Sequence, residues 1–275
     1  MPEGDTIFRT ASTLQRALAG QTVTGFQTGL AALAQVDRDE PVAGRTIERV
    51  ESAGKHLLMT LSGGLVLRTH MRMNGSWHIY RPGEKWQRPG SAMRIVIETA
   101  DWVAVAFSVY AAEFVRIEAL ARHRQLATLG PDLLGDFDPD RALMRIRQTN
   151  NATMHDLLLD QRVMSGIGNV YKSEILFLSR IHPDTPPLAL SDDQLRTVIA
   201  LAQQLLKANV SPTSGSGIVT YHGLRRTTGR MNPADRLWVY SRGGQPCRKC
   251  RTPIASRKDG EGARVTYWCP TCQPH

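Results

Sequence analysis

The chain's four cysteines stand as Cys247-x2-Cys250-x18-Cys269-x2-Cys272. Each pair presents two thiols from one tight turn, and the spacer is long enough for a β-hairpin that folds one pair onto the other. Four converging thiolates close a tetrahedral site with no open position, which suits structural rather than catalytic zinc. Pro246, Pro253 and Pro270 fit a turn-rich ribbon too small to fold without its metal. The same spacing also admits two disulfides or idle thiols. Against these stands the clustering of every cysteine in the last 29 residues of a chain that starts without the basic and apolar segments of a secretory leader.

A second chemistry sits at the other end, in Met1-Pro2-Glu3-Gly4-Asp5-Thr6. Removal of Met1 before Pro2 exposes a secondary amine with a pKa of about 8, against above 10 for lysine, so more of it is free base at neutral pH. Such an amine attacks an aldehyde to give an iminium that stays cationic, because the nitrogen has no second proton to lose. That iminium is an electron sink at the adjoining carbon. Glu3 beside it has the chemistry of a proton donor or acceptor. Met-Pro is also an ordinary start, and taken alone these residues favour that reading.

Two further groups suit phosphate. Gly166-Ile167-Gly168-Asn169 places two glycines before a helix start, where backbone N–H groups and the Asn169 amide can approach an anion. A purely structural interhelical turn would look the same. The cysteine ribbon carries Arg248, Lys249, Arg251, Arg257, Lys258 and Arg264, which could be a solvated basic surface; on a metal-stapled hairpin in a chain of this charge, phosphate contact is the expectation. Arg264 falls at the tip of the expected hairpin, between a glycine-rich turn and Cys269.

These residues need a scaffold. Residues 6–19 carry Ile7, Ala11, Leu14 and Leu18 at helical spacing, with Asp5 or Thr6 as N-cap; the positive end of that helix points at Pro2 and Glu3. From 21 to 118 the pattern is strand-like. Segments 55–61 and 65–71 flank Ser62-Gly63-Gly64, and 93–99 and 102–107 flank Ala100-Asp101, which gives two hairpins within a β-sandwich or barrel. After Ala119 the character becomes helical, over 139–147, 153–159, 169–179 and 191–208, the last with Leu195, Val198, Ile199, Ala202 and Leu206 on one side. Segment 211–217, rich in Ser and Gly, reads as a loop.

The balance of 34 Lys plus Arg against 25 Asp plus Glu gives a net charge of +9. From Ser211 to the end there are 11 basic and 3 acidic residues, a net of +8, so the excess is a C-terminal property that invites an acidic polymer. No run of 18 apolar residues occurs, which removes membrane-spanning helices from consideration. A cytoplasmic, nucleoid-associated protein is expected, and nothing in the sequence demands more than a monomer.

In chain order stand Met1-Pro2-Glu3-Gly4-Asp5-Thr6, Gly54-Lys55-His56-Leu57, His70-Met71-Arg72-Met73-Asn74-Gly75, Leu158-Leu159-Asp160-Gln161, Gly166-Ile167-Gly168-Asn169 and the four-cysteine ribbon. With these in register over nearly its whole length, the sequence resembles the formamidopyrimidine-DNA glycosylase/endonuclease VIII family. The resemblance implies an α+β chain of two domains: an N-terminal β-sandwich with an N-terminal helix, and a C-terminal helix–two-turn–helix domain bearing a four-cysteine zinc-finger hairpin. The corresponding division is 1–120 for the catalytic sandwich, 121–235 for the DNA-binding helices and 236–275 for the finger.

It further implies a bifunctional DNA glycosylase and abasic-site lyase of base excision repair, acting on double-stranded DNA with one structural Zn2+. By carry-over, Pro2 attacks C1′ of the damaged nucleotide and Glu3 is the acid/base residue beside it. Lys55 matches the strand lysine of β-elimination, Arg264 the finger arginine of δ-elimination and phosphate binding, and Asn169 the phosphate-binding turn residue. Met73 matches a side chain that fills the gap left by a flipped nucleotide, or else packs in the core; Arg72 beside it contacts DNA or forms a surface salt bridge.

Three departures from the family pattern are visible, the first a glycine-rich finger spacer, Lys258-Asp259-Gly260-Glu261-Gly262-Ala263, which bears on the placement of Arg264. Thr128 stands where some relatives offer a basic residue to DNA, and residues 151–155 lack a lysine that many carry. The Glu3-Gly4-Asp5 start and Ser108-Val109-Tyr110-Ala111-Ala112-Glu113 look more like the endonuclease VIII branch, which implies oxidised pyrimidines as substrates. An oxidised-purine glycosylase of the same family, and a non-catalytic zinc-finger protein that binds damaged DNA, are the competing readings.

Overall fold

The computed structural model describes residues 2–210, 225–228, 232–259 and 264–275. These divide into two compact units, one built from residues up to 128 and the other from 129 onward. Met1, the 211–217 loop and the glycine-rich turn of the finger spacer at 260–263 lie outside the described residues.

The first unit opens with helix α1, Gly4–Leu18. It starts two residues earlier than the sequence suggested, because the N-cap is Glu3 rather than Asp5 or Thr6. Glu3 caps through its backbone: its carbonyl accepts from the Thr6 and Ile7 amides at 2.9 and 3.0 Å. Asp5 is instead buried inside the first turn, 3.7 Å from Arg9.

Eight strands follow. β1 (Gly25–Thr28), β5 (Ser76–Tyr80), β6 (Met93–Glu98) and β7 (Val103–Phe107) form one antiparallel sheet in the order β1-β6-β7-β5. The strands β2 (Ile47–Ala53), β3 (His56–Leu61), β4 (Leu65–His70) and β8 (Ala111–Arg116) form the other, in the order β2-β3-β4-β8. Alternation sets the faces: Leu57, Met59, Leu65 and Leu67 from one sheet meet Ile95, Ile97, Ala104 and Ala106 from the other, with Ile7, Leu14 and Leu18 of α1, in a single core. The expected sandwich and both expected hairpins are present. Within the stretch read as strand-like, however, Ala31–Asp39 is a helix, α2.

The second unit contains α3 (Pro139–Arg147), α4 (Met154–Leu159), α5 (Asn169–Ser179) and α6 (Asp192–Ala208). Their starts are chemically defined. Asp138 accepts from the Asp140 and Arg141 amides, with Pro139 at the first helical position. Thr153 caps α4, and Ser191 with Gln194 forms a capping box on α6. Leu195, Val198, Ile199, Ala202 and Leu206 face a core shared with Leu157, Ile167, Tyr171 and Ile175. The chain ends in a hairpin of β9 (Ala255–Asp259) and β10 (Arg264–Trp268), flanked by the cysteine pairs. No helix among the described residues is long and apolar enough to cross a membrane.

Candidate DNA-repair active site and zinc finger

In the first unit the candidate nucleophile precedes α1, and two hydrogen bonds fix how that helix lies. Gln15 Oε1 accepts from the Val50 amide of β2 at 2.5 Å, and the Gly20 amide donates to the Ile47 carbonyl at 2.8 Å. Moving back along the helix therefore means moving forward along β2. From Gln15 to Pro2 is about 20 Å of helix, and from Val50 to Lys55 about 17 Å of strand. The antiparallel run leaves Pro2 at the end of the sheet that carries the Gly54–Lys55 turn. Pro2 is half-buried there and Glu3 is fully buried. Lys55 is in the turn itself rather than on a strand, with Gly54 at φ +57° supplying the left-handed residue that the reversal needs.

The same end collects the other candidates. His56 pairs with His70 across β3 and β4, and His70 with Ala111 across β4 and β8. The turn after His70 therefore projects beside Lys55. In that turn the Arg72 amide donates to His70 Nδ1 at 3.1 Å, Arg72 has φ +50°, and Gly75 packs so closely that a Cβ there would lie 2.4 Å from the Met71 carbonyl oxygen. Met73 is thereby held 65% exposed, which disposes of the core-packing reading. Arg72 is exposed as well. Behind the turn, the rings of His56 and His70 lie 4.9 Å apart. Arg68 donates to Glu113 Oε1 at 2.6 Å and lies 2.7 Å from His56 Nδ1. Burial first, then neighbouring His70 and Arg68, hold His56 down to about 3; burial, then the charges of Lys55 and Arg68, hold His70 down to about 4, so both rings are neutral and His56 Nδ1 is an acceptor.

In the second unit, two turns join α4 to α5, and Gln161 staples them. Its Oε1 accepts from the Gly166 amide at 3.1 Å, and its Nε2 donates to the Leu159 and Ile167 carbonyls at 2.8 and 3.0 Å. Gly166 sits at φ +110°, a conformation that a side chain would strain. Asn169 is the first residue of α5. Its Nδ2 donates to the Val265 carbonyl of β10 at 2.9 Å, leaving a second N–H on that amide and a buried Oδ1 without a partner. Farther along, Lys172 Nζ donates to Thr266 Oγ1 at 2.7 Å, and the Tyr267 amide to Ser173 Oγ at 3.4 Å. Helix and strand therefore run parallel, and exposed Arg264, at the start of β10 opposite Asp259, lies toward the N-terminal end of α5. That end, where the helix dipole favours anions, is the one the two-turn segment opens.

The cysteines converge as the spacing suggested. The four sulfurs lie within 4.8 Å of one another, with Cys250 and Cys269 at 3.3 Å and Cys247 and Cys272 at 3.9 Å. Disulfides would require about 2.05 Å. A tetrahedron with Zn–S near 2.3 Å places sulfurs about 3.8 Å apart, and these separations bracket that value. Cys247 and Cys269 are fully buried with Val239 and Ile254. The set fits one structural zinc.

Of the six basic residues in the ribbon, three are committed within the unit. Arg248 bonds Asp235 and the Leu237 and Ala234 carbonyls, Lys249 Nζ lies 5.1 Å over Phe177, and Arg257 pairs with Asp184. Lys249, Arg251, Lys258 and Arg264 are exposed, the last three with no contact of this kind among the described residues. Thr128 turns its hydroxyl to the Arg124 and Gln125 carbonyls.

Three models match the chain: the formamidopyrimidine-DNA glycosylase N-terminal domain over residues 1–109, the formamidopyrimidine-DNA glycosylase H2TH domain over 129–220, and the zinc finger found in FPG and IleRS over 244–274. The probable endonuclease 8 2 of Streptomyces coelicolor is 40% identical across 99% of this chain and 94% of its own length. The chain belongs to the formamidopyrimidine-DNA glycosylase/endonuclease VIII family. Another member, the DNA-(apurinic or apyrimidinic site) lyase Nei2 of Mycolicibacterium smegmatis, is 39% identical across 99% of both chains. Among solved structures of the family, the Lactococcus lactis Fpg bound to abasic-site DNA shares the fold with a TM-score of 0.82 over the full length of both chains, at 19% identity.

Sequence reasoning missed the polar groups buried inside α5. Lys172 and Glu174 are both fully enclosed, and Glu174 accepts from the Trp238, Val239 and Tyr240 amides at 2.8, 2.9 and 2.9 Å and from Thr227. Their signal was the placement of two charges inside the apolar run Val170–Leu178. The Arg68–Glu113–His56 cluster gave no comparable signal, since its members come from three different strands.

Proposed function

We propose that this family member is a bifunctional DNA glycosylase and abasic-site lyase that removes oxidised pyrimidines from duplex DNA, with Pro2 as the nucleophile. The observation that carries this reading is the antiparallel seating of α1 on β2, which puts Pro2 and Lys55 at one end of one sheet.

Reaction at a base inside a stack requires the nucleotide to be turned out of the helix, at a cost of roughly a few kcal/mol. Exposed Met73 is shaped to enter the vacated space, and exposed Arg251, Lys258 and Arg264 offset the cost through phosphate contacts. Once Met1 is removed, the Pro2 nitrogen attacks C1′. The base leaves with the glycosidic electron pair and takes a proton. Opening of the sugar gives the O4′ oxygen a proton, supplied on this reading through Glu3, and leaves an iminium between Pro2 and C1′. Loss of a C2′ proton then expels the 3′ phosphate, and loss of a C4′ proton expels the 5′ phosphate. Lys55, at the same end of the sheet, serves the first elimination. Arg264 and Asn169 hold phosphate, and Arg264 serves the second. The zinc supplies no step; bound by Cys247, Cys250, Cys269 and Cys272, it closes the hairpin that bears Arg264.

The pyrimidine preference rests on the 108–113 segment and on the endonuclease 8 relatives. A functional division at 1–120, 121–235 and 236–275 accompanies it, with the protein acting as a monomer in the cytoplasm, associated with the nucleoid. Single-turnover cleavage of duplexes carrying thymine glycol, a dihydroxylated cytosine derivative or an oxidised guanine tests the assignment. Faster excision of the pyrimidine lesions supports it. Preference for the oxidised guanine overturns the substrate assignment, and binding without cleavage of any duplex overturns the enzyme.

A further inference from the structure

We propose that Lys172 is a positioning residue, which fixes β10 against α5 so that Arg264 points to the phosphate-binding end of that helix. This rests on the assignment of Arg264 to the second elimination.

Asn169, Lys172 and Ser173 stand at spacings of three and four along α5, hence on one face. They bond Val265, Thr266 and Tyr267, three successive residues of β10. Two of these bonds use the strand's backbone, which any sequence offers. The Lys172–Thr266 bond is the one between side chains, so it is the one that distinguishes this register from a neighbouring one.

The strand's period of two gives that bond its leverage. Arg264 and Thr266 share a face of β10, about 7 Å apart. A slip of one residue would turn both to the opposite face and carry Arg264 away from the α5 N-terminus. Lys172 and Thr266 are both fully buried. An ammonium group enclosed within the protein costs stability that an apolar side chain of the same length would not, and its bond to Thr266 is directional where an apolar contact is not. The bond also lies one turn behind Asn169, so a single helix holds one phosphate ligand itself and aims the other.

Four variants test this: Thr266→Val, which removes the hydroxyl and keeps the β-branched shape; Thr266→Ser, which keeps the hydroxyl; Lys172→Met; and Arg264→Gln. Each is assayed on an abasic-site duplex for the ratio of δ- to β-elimination product, for borohydride-trapped adduct and for bound zinc. Displacement of a catalytic group by 1 Å costs up to about a hundredfold in rate. Thr266→Val and Lys172→Met are accordingly expected to lower the δ/β ratio by about tenfold. Trapping should stay within about twofold of the unmodified protein, zinc content should be unchanged, and Thr266→Ser should retain the ratio. If Arg264→Gln keeps its δ-elimination, the assignment of Arg264 fails and the proposal with it. Where Arg264→Gln loses that step but Thr266→Val and Lys172→Met keep it, the positioning role alone is refuted. A joint fall of both eliminations, or release of zinc, in both of those variants would show a merely structural contact and equally overturn it.

Discussion

Replacing Glu174 with alanine should loosen the root of the zinc finger without touching the reaction centre. The carboxylate is fully buried; Oε1 accepts from the Val239 and Tyr240 amides, and Oε2 from the Trp238 amide and the Thr227 hydroxyl. Alanine would leave three backbone N–H groups without an acceptor, and each such group costs about 1–3 kcal/mol. The total is about 3–9 kcal/mol, and its low end already raises the locally open population about a hundredfold. Glutamine keeps one acceptor oxygen and sets an NH2 against the other donors, so it should fall between the two. Val239 shares a small core with Cys247 and Cys269, and opening at 238–240 therefore exposes the metal-binding sulfurs. Amide hydrogen exchange across 238–240 is the direct assay, because it reads local opening even where the two units unfold separately. Faster exchange there, accompanied by faster zinc capture by a chromogenic chelator, is the expected result. Unchanged exchange in Glu174→Ala would refute the claim that this carboxylate holds the segment.

Acid should weaken the first unit well before its carboxylates titrate. Burial holds His56 down to about 3 and His78 down to about 4, so the unfolded chain binds more protons than the folded one as pH falls from about 6.5. Stability is full above about 6.5 and declines by up to about 1.4 kcal/mol per pH unit for each of these histidines; denaturation midpoints between pH 7 and 4.5 that do not fall would contradict this. Chelation of the zinc should weaken DNA binding more than it unfolds the sandwich, whose core holds no finger residue among the described ones; equal binding after verified metal loss would contradict it. Met73→Ala should leave stability within about 0.5 kcal/mol, because the side chain is exposed, yet weaken binding to abasic-site DNA. Gly75→Ala should cost stability as well, since its Cβ would meet the Met71 backbone at 2.4 Å; a thermal scan alongside a binding titration separates the two variants.

The fold was legible where capping and periodicity agree. The Gly168–Asn169 boundary gave the start of α5, the Ser191 and Gln194 pair closes the start of α6, and glycine-rich turns marked the hairpin of β3 and β4. Helix α2 was not legible, because Leu33 is its one fully buried residue and a single apolar contact makes no stripe. The start of α1 was misplaced because Glu3 caps it with a carbonyl, which any residue possesses, while Asp5 and Thr6 have the side chains usually found at a cap. Candidate residues whose chemistry depends on type and spacing, Pro2 and the cysteines, stood out. Lys172 and Glu174 did not, since a charged residue on a helix ordinarily faces water and only the packing of β10 and 238–240 against α5 shows that these do not.

The central claim is that the Pro2 amine forms the covalent bond to DNA. Borohydride reduction of the untagged protein on a duplex with one abasic site, followed by peptide mass analysis, tests it directly. An adduct is expected on the peptide that begins at Pro2, and none when an N-terminal extension blocks that amine while binding persists. Well-folded protein that binds the duplex but yields no adduct, or an adduct mapped to Lys55 with Pro2 unmodified, would contradict it.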